Sequence, residues 1–242
     1  MTESNRELLL MGIGNAPGRS DTVTAYLSEA GYLVHTATLH DFPETPPLGI
    51  VLDISPFSDD GWGVLLELKK SIKTREIPVL PLYLSEEGKV GGIFPVAGFF
   101  ILPIGKEYLL RKLGLLGMTD DSEMWDLQTL IVSRKGEEAV AKAMIAAGFD
   151  VVNAYTGKEA VALASIGPFY VAFSLLMLPD MSAFELLDKF SHHPRTRTLP
   201  FFVLMKDELK DGEKKAISRE IAHLVRKKEL SKEEFLGALR RH

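Results

Sequence analysis

Two spacings of apolar positions alternate along this chain. After a polar opening, Leu8-Leu9-Leu10 reads as a short buried strand leading into the glycine-rich stretch MGIGNAPGRSD at 11–21. In the C-terminal half the pattern is clearer. Residues 127–132 (LQTLIV) read as a strand, and 137–148 (EEAVAKAMIAAG) as a helix that Gly148 ends. A strand at 149–155 (FDVVNAY) follows, and Thr156 with Glu159 makes a capping box that opens a helix over 158–167. A buried strand at 169–176, a helix at 183–193, a strand at 199–205 and a helix at 211–222 continue the series. It ends with a short strand at 223–225 and a helix at 232–241. Five strands, each followed by a helix, imply a parallel sheet with right-handed crossovers.

The pattern occurs twice. Residues 61–78 (GWGVLLELKKSIKTREIP) match 183–200 (AFELLDKFSHHPRTRTLP) without a gap at an offset of 122, with Ile77-Pro78 on Leu199-Pro200. Residues 26–38 echo 143–155 at an offset of 117, and 106–110 echo 232–236 at 126. The expected architecture is therefore α/β: a domain at 1–117, a linker at 118–126 and a second domain at 127–242. Each is predicted to be a doubly wound, flavodoxin-like five-stranded sheet of order 2-1-3-4-5, with any site at the strand C-termini. The first copy is the more altered. Its stretch 39–49 (LHDFPETPPLG) holds three prolines and no helical period, so a second helix is expected to be missing or a single turn. Its stretch 85–98 holds four glycines and a proline, which weakens a fourth helix.

Composition narrows the chemistry. A chain of 242 residues accommodates two such domains, each large enough to bury its own core. A net charge of −5 argues against a nucleic-acid surface over the whole protein. The basic clusters, 223–234 and 240–242, suit helix C-termini. The absence of cysteine excludes disulfides, thiolate metal sites and cysteine nucleophiles. No apolar run approaches the ~20 residues of a membrane span, and the polar N-terminus is unlike a signal peptide. The expected location is the cytoplasm.

The stretches 51–70 (VLDISPFSDDGWGVLLELKK) with 74–80 (TREIPVL), and 175–190 (LLMLPDMSAFELLDKF) with 194–204 (PRTRTLPFFVL), both resemble response-regulator receiver domains. The resemblance covers nearly the whole chain. It implies an acceptor aspartate, an acidic pair that holds a divalent cation, a Ser/Thr that reads out the phosphoryl group and a lysine that pairs with it. In the first copy Asp53 falls at the acceptor position, eight residues before Gly61. The acidic pair falls on Gly14 and Asn15, the Ser/Thr on Tyr83 and the lysine on Leu102. In the second copy the acceptor position is Leu175, or Ser174 after a one-residue shift. The acidic pair there is Ser133 and Arg134, the Ser/Thr Met205, and the lysine Lys227 or Lys228. Arg134, if turned inward, would exclude a cation. Both copies thus look like degenerate receivers, with Asp53 a vestigial phosphoacceptor.

The other candidates have plainer readings. Gly12, Gly14, Pro17 and Gly18 depart from dinucleotide and P-loop patterns, and Pro17 lacks an amide donor, so a tight structural turn is expected. Asp59 and Asp60 are expected to cap or solvate a loop. His192 and His193 fall at a helix end and, like His223, have no acidic cluster beside them. Trp62 and Trp125 read as packing or interface residues. The resulting expectation is a response-regulator-type signalling protein acting as a phosphorylation-independent interaction scaffold. Its partner would be a signalling protein, with a homodimer as a further option and neither membrane nor nucleic acid involved. It is expected not to be an enzyme and to use no cofactor, Mg²⁺ entering only if Asp53 is a live acceptor. The alternatives are a response regulator phosphorylated at Asp53 and a flavodoxin-like small-ligand binder.

Overall fold

The computed structural model describes residues 6–14, 16–114, 128–146, 148–225 and 229–239. Two five-stranded sheets organise them. The first is built from β1 (Glu7–Met11), β2 (Leu33–Thr36), β3 (Gly49–Asp53), β4 (Val79–Leu84) and β5 (Val90–Ile93), in the order β2-β1-β3-β4-β5. Its first four strands run parallel and β5 is antiparallel to β4. The second contains β6 (Gly98–Ile101), β7 (Gln128–Val132), β8 (Asp150–Ala154), β9 (Phe169–Leu175) and β10 (Phe201–Met205), in the order β6-β10-β9-β7-β8, all parallel. The expected 2-1-3-4-5 order is present in the first sheet; in the second it holds for β7 to β10, with β6 in the fifth place. Strands β3 and β10 are buried at every residue, as a parallel sheet covered on both faces requires.

The helices are α1 (Asp21–Glu29), α2 (Gly61–Lys70), α3 (Lys106–Gly114), α4 (Ala139–Ala146), α5 (Gly157–Ile166), α6 (Ala183–Ser191), α7 (Asp211–Val225) and α8 (Lys232–Leu239). The capping box opens α5: Thr156 Oγ1 accepts from the Glu159 amide at 3.1 Å, and Glu159 takes the Tyr155 amide at 2.7 Å. At α6, the Ser182 Oγ accepts from the Glu185 amide at 3.3 Å. Between β2 and β3 there is no helix, in keeping with the three prolines there.

The main departure from expectation lies in the fifth strands. After β4 the chain turns through Ser85–Lys89 and returns as β5, so β4's outer edge is taken by a hairpin. Strand β6, which the sequence repeat assigns to the first copy, pairs instead with β10, from Gly98 beside Phe202 to Ile101 beside Met205. At the other end, residues 223–225 are not a strand. They form the last turn of α7, whose buried Ile217 and Ile221 lie one turn apart. Helix α7 packs on β4, and α8 packs on α1 and β5. Compact packing therefore groups 1–95 with 208–242, and separately 96–207, rather than 1–117 and 127–242. The expected linker 118–126 lies outside the described residues, as does Trp125.

In the first unit the core gathers Leu10, Val23, Leu27, Val51, Leu82 and Phe235, with Phe235 tilted on Tyr26 at 5.7 Å. In the second, Phe173 stacks on Phe202 and Phe100 tilts against both, with centroids 5.1–6.1 Å apart. Each such ring, once buried, contributes about 1.5–3 kcal/mol. No helix among the described residues is long and apolar enough to cross a membrane.

Candidate functional site

Strand β3 carries Asp53 to its C-terminal end, opposite Leu82 of β4, where it is fully buried. The turn that precedes α1 places Arg19 beside it, also buried. The Arg19 Nη2 lies 2.5 Å from Asp53 Oδ2, a buried ion pair. Every lone-pair direction of the carboxylate is used. Oδ1 accepts from the Ser55 amide at 2.9 Å and the Leu84 amide at 3.3 Å, and Oδ2 accepts from Ser55 Oγ at 3.1 Å as well as from Arg19. The guanidinium is equally well held. It donates to Ser55 Oγ at 2.8 Å, to the Ser85 carbonyl at 3.2 Å, to the Leu84 carbonyl at 3.4 Å and to the Ile13 carbonyl. The Phe57 ring covers it, 6.0 Å away.

Burial is the largest influence on the Asp53 carboxyl and pushes its pKa above the ordinary value. The Ser55 amide, Arg19, the Ser55 hydroxyl and the Leu84 amide pull it down without cancelling that effect.

The residues here do not fit a divalent cation. Such an ion needs several hard oxygens, and the positive charge beside Asp53 is already supplied by Arg19. Gly14, where the resemblance implies a carboxylate, has φ of +73°, and a Cβ on it would lie 3.3 Å from the Phe57 carbonyl and 3.8 Å from Arg19 Nη1. Asn15 lies outside the described residues. Among the described residues, no group of three or more His, Asp or Glu is placed to hold a metal ion.

Asp59 donates its amide to the Gly12 carbonyl at 3.1 Å. Asp60 is the N-cap of α2, accepting from the Gly63 amide, and Lys214 of α7 pairs with it at 2.8 Å. Trp62 is buried and donates Nε1–H to Ser218 Oγ at 3.3 Å. Helix α7 thus rests on the loop that follows Asp53. Tyr83 sits half-buried in β4 opposite Gly92. Leu102 is not part of this site. It follows β6, and its amide donates to the Met205 carbonyl at 2.8 Å, in the other unit.

In the second unit the backbone repeats the arrangement and the chemistry does not. Leu175 faces Leu204 as Asp53 faces Leu82, and the next amides, of Leu176 and Ile54, donate to those partners' carbonyls at 2.9 Å each. Leu175 and Met205 are buried. Ser174 is buried too, and its Oγ donates to the Leu175 carbonyl at 3.0 Å. The Ser133 hydroxyl is buried without a hydrogen-bond partner. Arg134 is exposed and donates to the Met177 carbonyl at 3.3 Å, so it lies across the mouth of the loop rather than inside. Lys227 and Lys228 lie outside the described residues. His192, at the C-terminus of α6, has its Nδ1 2.7 Å from the Asp188 carbonyl.

The residue that sequence reasoning missed is Arg19. A lone cation inside the opening stretch, in a turn otherwise made of glycine, proline and small polar residues, was the available signal.

No family model matches the chain, and neither does any curated protein. Among solved structures it is similar to the receiver domain of a Pseudomonas aeruginosa sensor histidine kinase that has magnesium in its active-site cleft. Identity is 15%, coverage 41% of this chain and 97% of that one, and TM-score 0.31. A signal receiver domain of a Syntrophus aciditrophicus histidine kinase gives 18% identity, 43% and 96% coverage, and 0.30. The C-terminal part of E. coli RcsC, containing a linker region and phosphoreceiver domain, gives 17% identity, 91% and 94% coverage, and 0.27.

Proposed function

We propose that the chain is a signal-transduction protein of response-regulator type, made of two degenerate receiver-like units that serve as a phosphorylation-independent interaction scaffold. The observation that carries this reading is the buried Arg19–Asp53 pair. An acceptor aspartate must offer an oxygen to the phosphoryl donor, and a cation must screen the approach. Asp53 offers neither opening. Both its oxygens are engaged within the protein, and its cation is a guanidinium built into the fold. Its work is to fix the loop between β3 and α2. In the second unit, Leu175 supplies no carboxylate at all.

Function then resides on surfaces, and the partner is another signalling protein, a second copy of this chain being the next option. We propose no catalytic activity, no cofactor and a cytoplasmic location. The test is incubation with acetyl phosphate and Mg²⁺ followed by intact mass, with Asp53→Ala as control. The mass should stay unchanged, and beryllofluoride should form no adduct. A gain of one phosphoryl group that the control lacks overturns the reading in favour of a live acceptor.

A further inference from the structure

A second place at the strand ends has no assigned role. In the second unit a cavity of about 340 Å³ opens at the C-terminal ends of β6, β7, β9 and β10, against α3 and α4. Its walls are apolar, with Leu102, Ile131, Val140, Leu175 and Leu204 among them. Ser133 also lines it, 1% exposed, and its hydroxyl has no partner. At the rim, Lys206 and Glu137 pair at 3.8 Å.

Three physical points turn this space into a site. The space is a cleft partly open to solvent with large aliphatic side chains for walls, so a small apolar molecule can enter it and bury most of its surface there. It falls at the low end of the roughly 300–1,000 Å³ of small-molecule pockets. A buried hydroxyl without a partner is costly, and a ligand that bonds to it removes the cost. The location agrees: β7 and β9 flank the point where strand order reverses, the crevice in which open α/β sheets take ligands.

The lining also sets the ligand's chemistry. Leu175 has removed the anionic acceptor, and the two rim charges neutralise each other. We propose that this cavity binds a small neutral molecule of two-ring size or its aliphatic equivalent. Most of its surface is apolar, and one hydroxyl or carbonyl group bonds to Ser133 Oγ. The site is independent of the Arg19–Asp53 pair and gives the second unit an input other than phosphorylation.

The test uses the full chain and three probes, 2-naphthol, naphthalene and 2-naphthoate, followed by ¹H–¹⁵N NMR titration. 2-Naphthol should bind saturably with a Kd on the order of 10–100 μM, shifting the amides of Ser133, Val140, Leu175 and Leu204. Naphthalene, which cannot bond to the hydroxyl, should bind about tenfold more weakly, and 2-naphthoate more weakly still. Ser133→Ala should bring 2-naphthol down to the naphthalene level. Leu175→Phe should fill the cavity and abolish binding, with Ala143→Leu serving if that variant does not fold. The proposal is overturned by failure of 2-naphthol to saturate below about 1 mM or by shifts confined to other residues. Unchanged affinity in Ser133→Ala, or naphthoate binding as tightly as naphthol, overturns it equally.

Discussion

Replacing Arg19 by alanine tests the central claim that this side chain is an internal counter-ion. The change strips Asp53 of its buried positive partner and leaves a carboxylate that is fully enclosed. Removing one member of a buried pair costs about 3–5 kcal/mol, because the remaining charge is uncompensated. Arg19→Ala also frees the carbonyls of Ile13, Leu84 and Ser85 from their donor. Asp53→Ala should be milder, about 2–3 kcal/mol, since the guanidinium keeps those carbonyls and Ser55 Oγ as acceptors. The double variant has no stranded charge, so its cost should fall short of the sum by at least about 2 kcal/mol. The assay is urea unfolding at pH 8, followed by Trp62 fluorescence in a Trp125→Phe background, with the m-value checked for constancy. Additivity within about 0.5 kcal/mol, or a cost for Arg19→Ala below about 1 kcal/mol, would refute the pairing.

Three further outcomes follow from neighbouring geometry. Gly88 has φ of +83°, and a Cβ there would lie 2.4 Å from the Arg19 carbonyl, so Gly88→Ala should lower stability by more than the about 1–2 kcal/mol left-handed penalty alone. An unchanged thermal midpoint in calorimetry would contradict that. Burial holds the Asp53 carboxyl above its ordinary value of 3.8, so between pH 3.8 and the folded value the folded chain keeps a proton that the unfolded chain has released, and above that window the pair with Arg19 is charged. Its contribution to stability is therefore complete below pH 3.8 and is lost as pH rises through the folded value. A ¹³C-carboxyl titration of Asp53 with a midpoint at or below 3.8 would show the opposite sign. Phe235→Ala should cost about 3–5 kcal/mol and strip hydrogen-exchange protection from α1 and β5 while sparing β9 and β10. Equal loss in β9 and β10 would place α8 in the wrong unit.

Much of the fold was legible because it is written locally. The offset of 122 read from matching letters recurs in the hydrogen bonds of Ile54 and Leu176. The Thr156 cap and the helix-free, proline-rich connection before β3 follow from single residues. The fifth strands were not legible, because a short apolar segment such as GFFI fits the edge of either sheet. What decides is the competitor for the edge. The hairpin returning through Gly88 occupies β4's side in the first sheet, and β10's side remains for β6. Residues 223–225 misled for a related reason. Their apolar letters suit a strand, yet Ile217, Ile221 and Leu224 already keep a helical spacing that carries α7 through them.

The site was half legible, and the missing half explains the other. Reading Gly14 as a lost carboxylate left Asp53 as an isolated relic. A relic aspartate with no cation would have to stay buried on the Ser55 and Leu84 donors alone or take up a proton, since nothing else would offset the desolvation of its charge. Arg19 resolves this. One acid and one guanidinium sum to zero inside the unit, where the receiver pattern implies several carboxylates that need a divalent ion. On the reading proposed above, the missing acidic pair and the arginine are thus two sides of one electrostatic exchange. Gly14 belongs to the same exchange, because a side chain there would crowd Nη1 of Arg19 and strain a left-handed backbone. A carboxylate placed at position 14 alone would accordingly recruit Arg19 rather than a metal ion, leaving Asp53 as closed as before.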